Sequence, residues 1–347
     1  MRSDRPKPLH LLCGRPLLLY MVDTLVAAEV DRVVVVVGAA AEQVTKRILR
    51  DVDGTLVDFV EQPVPRGTAD AVQSALGALP DDDLGDDDVL VVPADMPLLS
   101  TASLRRLVEA HRAGDVACTV LTVRSADPTG SPRVVRGRDG RVVRLAGDAD
   151  VLADERSIDE VAVSVLCARR SLLGAAIRRV TPSDDDGTYR LEDVVEVLAR
   201  AGHLVAAVEV EPAEVVEVDD RLSLAEVEAE LRRRINRSWL AAGVSMLDPS
   251  TCYVDATVEL GRDVTLFPGT LLQGRTVVGA GAEIGPNARL VDCVVGAGAR
   301  VQHTVATDAE IGDDAVVGPF VVLDPGARVE AGARVVPGTA VRLTDRI

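Results

Sequence analysis

The last quarter of the chain keeps an aliphatic residue in phase every six positions, which few folds can accommodate. Leu260, Leu266, Leu272, Val278, Ile284 and Leu290 set the beat; Ile311, Val317, Leu323, Val329, Val335 and Val341 resume it after a phase slip through Val295 and Val301. Small residues fill the intervals, as in Val278-Gly-Ala-Gly-Ala-Glu283, so each aliphatic side chain can turn inward at a tight corner. The pattern predicts a parallel β-helix of about five coils, at about 18 residues per coil, whose stacked turns bury one aliphatic column.

The rest of the chain reads differently. From Pro16 to Gly202, β-branched runs alternate with amphipathic stretches. Arg32-Val-Val-Val-Val-Val-Gly38 and Val89-Leu-Val-Val-Pro-Ala-Asp95 read as buried parallel strands, and Ala117 to Val123 as a third strand. Helices are expected over Thr101 to Ala113 and Leu191 to Ala201. This alternation predicts an open α/β sheet with crossover helices. Arg221 to Ala242 reads as one amphipathic helix, with Leu222, Leu224, Val227, Leu231, Ile235 and Leu240 on one stripe and a stop at Gly243. The expected division is an α/β domain over 1–220, a connector helix over 221–245 and the β-helix over 250–347.

Composition narrows the function. At 347 residues the chain can hold two cores, and its formal charge of -17 argues against a nucleic-acid partner, which needs clustered Lys and Arg. Five widely spaced cysteines without a C-x-x-C pair imply neither a disulfide framework nor a zinc site, and buried thiols in a reducing compartment are expected. No apolar run approaches the roughly 18 residues of a membrane span, so the expectation is a cytoplasmic protein with no membrane partner. The acidic turn Asp81 to Asp88 lacks the acidic residue that a calcium loop carries at its twelfth position.

Two loops carry the candidate chemistry, both where open α/β sheets place ligands. In Gln62-Pro-Val-Pro-Arg-Gly-Thr-Ala-Asp-Ala71, Gly67 permits close backbone approach, Gln62 offers an amide that donates and accepts, and Thr68 can cap the following helix while presenting its hydroxyl. Such a set can read the edge of a base. In Pro93-Ala-Asp-Met-Pro-Leu98, Asp95 ends an apolar strand, where a carboxylate suits Mg2+ and its phosphates. Glu217-Val-Asp-Asp-Arg-Leu222 brings further carboxylates, and either Asp219 or Asp220 can cap the connector helix.

With these parts in this order, the chain resembles the bifunctional N-acetylglucosamine-1-phosphate uridylyltransferase and glucosamine-1-phosphate acetyltransferase family of bacterial peptidoglycan precursor synthesis. The resemblance runs from Met1 to about Val341. Ser3-Asp-Arg-Pro-Lys-Pro-Leu-His10 matches the family's proline-lysine element; Gln62, Gly67 and Thr68 match its uracil-reading loop; Asp95 matches its first metal ligand. Asp219 stands where the family has an Asn as second ligand. The resemblance implies a Rossmann-like nucleotidyltransferase domain followed by a left-handed β-helix that assembles homotrimers. It also implies Mg2+-dependent transfer from UTP to a sugar 1-phosphate, with Lys7 neutralising charge near the α-phosphate, Asp95 and Asp219 holding the metal, and Pro93 and Ala94 lining the nucleotide site.

The chain departs from the family in three places. It opens where the family has already passed its first strand and Gly-rich phosphate loop, so a mis-assigned start is expected, with a protein lacking that cradle as the alternative. On the sugar side, Pro132 replaces a Gly, Gly147 replaces a Glu, Ala162-Val-Ser164 replaces Asn-Thr-Gly, and Arg190 lies in an altered Gly187-Thr-Tyr-Arg-Leu-Glu-Asp193 element. Each lost polar contact weakens discrimination, leaving a different sugar 1-phosphate or NTP, or a non-catalytic oligomeric homologue, as alternatives. Finally, Leu323-Asp-Pro-Gly326 puts an anion where the family has a phosphate-binding Arg, and the sequence stops before the family's catalytic His, so acetyl transfer is expected to be absent.

Overall fold

A computed structural model describes residues 1–38, 40–52, 57–80, 87–183 and 187–341. Most of the acidic turn read over Asp81 to Asp88 lies outside the described residues. The chain divides into two compact units, Met1–Leu9 with Leu17–Asp219, and His10–Pro16 with Asp220–Ile347.

The first unit is an α/β sandwich. Its elements are α1 (Leu17–Ala27), β1 (Val33–Val37), α2 (Ala41–Ile48), β2 (Val57–Glu61), α3 (Thr68–Ala78), β3 (Asp88–Val91), α4 (Thr101–Ala113) and β4 (Cys118–Arg124). There follow β5 (Arg133–Arg136), β6 (Val142–Ala146), β7 (Glu160–Arg169), α5 (Arg170–Ile177), α6 (Asp193–Arg200) and β8 (Val205–Glu209). The larger sheet runs β8-β4-β7-β5-β6, and β3 also pairs with β7. Alternation along the central strands feeds two layers. Val120 and Leu166 face a core with Leu76 of α3, Leu173 of α5 and Val194 of α6, whereas Leu121 and Val165 face Leu104 and Leu107 of α4.

Two strand expectations need correction. β1 pairs in parallel with β2, as the β-branched run implied, but its burial alternates instead of being continuous. Val33, Val35 and Val37 pack on α1 and α2, while Val34 and Val36 are only half-buried. β3 is antiparallel to β7, not parallel, and half-buried at all four positions. It ends at Val91, two residues before Pro93, which has no N–H for a ladder, and the chain turns there toward Asp95.

The second unit is the β-helix, preceded by α7 (Arg221–Ala241). Three parallel sheets of six, six and five short strands form its faces, about five turns in all. The inward column runs through Leu266, Leu272, Val278, Ile284, Leu290, Val295 and Val301, then Ala306, Ile311, Val317, Leu323, Val329, Val335 and Val341, all buried. Leu260 is only half-buried at the start of the column, and Ala306 carries it through the phase slip. The slip is a pair of shortened coils: Val278 pairs with Val295 and Val295 with Ile311, whereas Ile311 pairs with Val329. At one corner a Cβ on Gly261, Gly279, Gly296 or Gly312 would lie 2.6, 2.6, 2.4 or 2.6 Å from the backbone nitrogen of the next coil. The Leu272 side chain is fully buried among its neighbours, so Leu272→Ala should cost about 3 kcal/mol in urea unfolding of the full chain. A loss under about 1 kcal/mol would show that the column tolerates voids.

Helix α7 corrects the predicted stripe. Leu224, Val227 and Leu231 are buried, and Ile235 and Trp239 pack against the β-helix core, but Leu222 and Leu240 are exposed. At 100° per residue both lie off the stripe set by positions 224, 227, 231 and 235. Asn236 is buried instead, and its Nδ2 donates to the carbonyls of Pro249 at 2.8 Å and Cys252 at 3.0 Å, tying the helix to the first coil. All five cysteines are free and buried, and burial pushes the Cys13 thiol up to about 12.

Candidate active site

The site is built where three distant segments of the first unit meet. Pro6 and Pro8 flank Lys7, and a short 3-10 turn over Lys7–Leu9, closed by Leu9 N–H to Pro6 O at 3.0 Å, aims its side chain. Lys7 Nζ donates to Asp95 Oδ2 at 2.5 Å and to Asp219 Oδ1 at 2.8 Å. The backbones of the two acidic segments are joined as well, Val218 N–H donating to Asp95 O at 3.0 Å. Asp220 is the N-cap of α7: its Oδ1 accepts from the N–H groups of Leu222 and Ser223, both at 2.9 Å. The competition between neighbouring aspartates for the cap therefore resolves on Asp220, and Asp219 turns to Lys7.

Electrostatics follow from this geometry. Burial lowers the Lys7 pKa, but hydrogen bonds and Coulomb attraction from Asp219 and Asp95 outweigh it, and the net value lies above the ordinary 10.5. The bridge's contribution is therefore complete below pH 10.5 and is lost only as pH rises through the higher folded value. NMR titration of the Lys7 ε-carbon should give a midpoint above 10.5; a midpoint below it would show the bridge to be weak. Glu217, which sequence reasoning passed over, belongs to the same field. Although the residue is exposed, desolvation of its carboxyl and then the charges of Asp95 and Asp219 push its pKa up. Its signal was its place two residues before Asp219.

The loop expected to read a base joins β2 to α3. Gln62 follows β2, its N–H donating to Val37 O of β1 at 2.8 Å, and its Nε2 donates to Asp70 Oδ2 at 2.6 Å. Asp70 lies in the first turn of α3 and was not anticipated. Because a carboxylate only accepts, it orients the amide and turns Gln62 Oε1 away from itself. Thr68 is corrected in its role: Gly67 is the N-cap, and the Thr68 hydroxyl accepts from Leu191 N–H at 2.8 Å. Gly67 has φ of 115°, and a Cβ there would stand 2.4 Å from Tyr189 O, because Arg66 O and Ala69 N–H both bond the Tyr189 backbone. Pro93 precedes a turn over Ala94 and Asp95, with Ala94 exposed.

On the expected sugar side, Pro132 O accepts from Ala162 N–H at 2.8 Å. The Ala162 methyl is buried in the core and offers no polar group. Gly147 leaves an open position: a Cβ there would lie 3.5 Å from Arg190 Nη1 and 3.8 Å from Asp150 Oδ2. Ser164 Oγ donates to Glu192 Oε1 at 3.1 Å, bringing the two altered sugar-side elements into contact.

Residues 1–191 match the MobA-like NTP transferase domain, so the class of protein is a nucleotidyltransferase. The chain is 40% identical to the bifunctional protein GlmU of Pelotomaculum thermopropionicum over 314 residues, 90% of this chain and 67% of that protein. It is 36% identical to the GlmU of Caldanaerobacter subterraneus subsp. tengcongensis over 90% of this chain and 66% of that protein. For Mycolicibacterium vanbaalenii GlmU the figures are 40%, 90% and 64%. The chain belongs to the GlmU family, and it spans about two thirds of the length of these curated relatives.

Proposed function

We propose that the chain transfers a uridylyl group from UTP to a sugar 1-phosphate, with N-acetylglucosamine 1-phosphate the first candidate, and releases pyrophosphate. The convergence of Lys7, Asp95 and Asp219 carries this reading. Two carboxylate oxygens within 2.8 Å of one ammonium can also grip a divalent cation, and oxygen donors suit Mg2+. When bound, Mg2+ would neutralise phosphate charge and orient the triphosphate. Asp95 and Asp219 would hold it, Lys7 would bind the α-phosphate, and Gln62 with the Gly67–Thr68 backbone would hold the base. Positioning and charge neutralisation then supply most of the rate, the sugar phosphate oxygen attacking phosphorus in line.

A different sugar is the second reading, favoured by Gly147 and the buried Ala162 methyl, which supply no side-chain hydrogen bond to a hydroxyl or acetamido group. A pyrophosphate-release screen across NTPs and sugar 1-phosphates tests both. Turnover with UTP and N-acetylglucosamine 1-phosphate supports the first; preference for another pair supports the second; no turnover with any pair supports a non-catalytic homologue.

The β-helix is read as an assembly unit that forms a cytoplasmic homotrimer and does not transfer acetyl groups, a reading supported by Asp324, whose negative charge would repel a phosphorylated ligand. A trimer mass by light scattering and absence of acetyl-CoA turnover with glucosamine 1-phosphate are expected. A monomer mass or acetyl turnover would overturn the respective part.

A further inference from the structure

We propose that Lys7 is an internal counter-ion that stands in the cation position between Asp95 and Asp219, and that the divalent cation must expel it, freeing its ammonium for the triphosphate. The inference rests on the metal-site reading above. Lys7 Nζ bonds one oxygen of each carboxylate, at 2.5 and 2.8 Å. A magnesium ion held by the same two oxygens would take them at about 2.0–2.1 Å, so it competes with the ammonium for them. The ammonium is repelled by the arriving double charge and leaves on a flexible four-carbon stem that is already one-third exposed, with 33% side-chain accessibility. Its backbone stays fixed by the flanking prolines and the Pro6–Leu9 bond, so the movement is confined to the side chain.

Asp219 strengthens the device. A neutral Asn at that position would offer Lys7 an amide oxygen, whereas the carboxylate supplies a second ionic contact and holds the ammonium more firmly. Metal binding is thereby coupled to delivery of the phosphate-binding cation: charge reaches the triphosphate only after the site is loaded. The cost of expelling Lys7 weakens the metal's apparent affinity.

The chain contains only two lysines, Lys7 and Lys46, which makes the test direct. Lys46 lies on α2, its side chain 72% exposed and paired with Glu42 of the same helix, so it serves as reference. Acetylation rates of both, measured on the full chain by peptide mass spectrometry, should show Lys7 slower than Lys46 without metal. Saturating Mg2+ should raise the Lys7 rate at least fivefold and leave Lys46 unchanged. Asp219→Asn should raise the metal-free Lys7 rate. By electron paramagnetic resonance, Lys7→Met should bind Mn2+ at least tenfold more tightly than the natural chain. A Lys7 rate indifferent to bound metal, with Asp95→Ala abolishing Mn2+ binding, would overturn the counter-ion role and leave the metal site standing. Equal Mn2+ binding by the natural chain and Asp95→Ala would instead sink the metal-site reading. If Lys7→Met does not fold, the labelling of the natural chain still decides.

Discussion

Asp95→Ala should lower nucleotidyl transfer at least about a thousandfold in a pyrophosphate-release assay while leaving the fold intact by circular dichroism. Asp95 ties the site together twice: its carboxylate accepts from Lys7, and its backbone carbonyl accepts from Val218 N–H, which precedes Asp219. Only the side chain is lost in the alanine variant, so the backbone that aligns the two acidic segments survives. The effect should therefore fall on kcat more than on folding. Turnover within about tenfold of the natural chain would remove Asp95 from the metal site.

Gly67→Val should be the second most damaging change, through position instead of charge. The glycine sits at a φ that a β-branched residue strongly resists, and a Cβ would be 2.4 Å from Tyr189 O and 2.7 Å from Tyr189 N. Two backbone hydrogen bonds pin the Tyr189 backbone, so the clash cannot be relieved by a side-chain rotation. The start of α3 must move, carrying the Thr68–Leu191 contact and the Gln62–Asp70 pair with it. A stability loss of about 3 kcal/mol and a rise of at least about tenfold in the KM for UTP are expected. Thermal unfolding and UTP titration measure the two effects separately, and a variant with natural KM would detach this loop from base recognition.

These residues also show what could be read in advance. The β-helix was legible because an inward column repeats locally, and even its phase slip is written in the spacing of Val278, Val295 and Ile311. The convergence of Lys7, Asp95 and Asp219 is not local: the partners are far apart in sequence, and only the family resemblance linked them. Thr68 shows the opposite error. The local rule for helix caps favours its hydroxyl, but a tertiary partner, Leu191 N–H, captured it. Asp70 went unread for the same reason, since its function depends on the loop folding back to bring Gln62 within 2.6 Å. Strand burial was misjudged for β1 because a run of valines does not say whether one face or two will be covered.

The glycine corner of the β-helix has a consequence for how such a unit can vary in length. The segments that carry it, Leu260 to Thr265, Val278 to Glu283, Val295 to Arg300 and Ile311 to Val316, keep one span through full-length and shortened coils alike. The residues missing from the short coils have been taken from the other two corners, as between Val291 and Val294 or Val301 and Thr304. The glycine line thus acts as a keel that sets the pitch of the stack, because each of its members is roofed by the backbone above. Single-residue insertions and deletions can be absorbed at the two opposite edges, where the chain has slack, while along the keel the same change would lever successive coils apart.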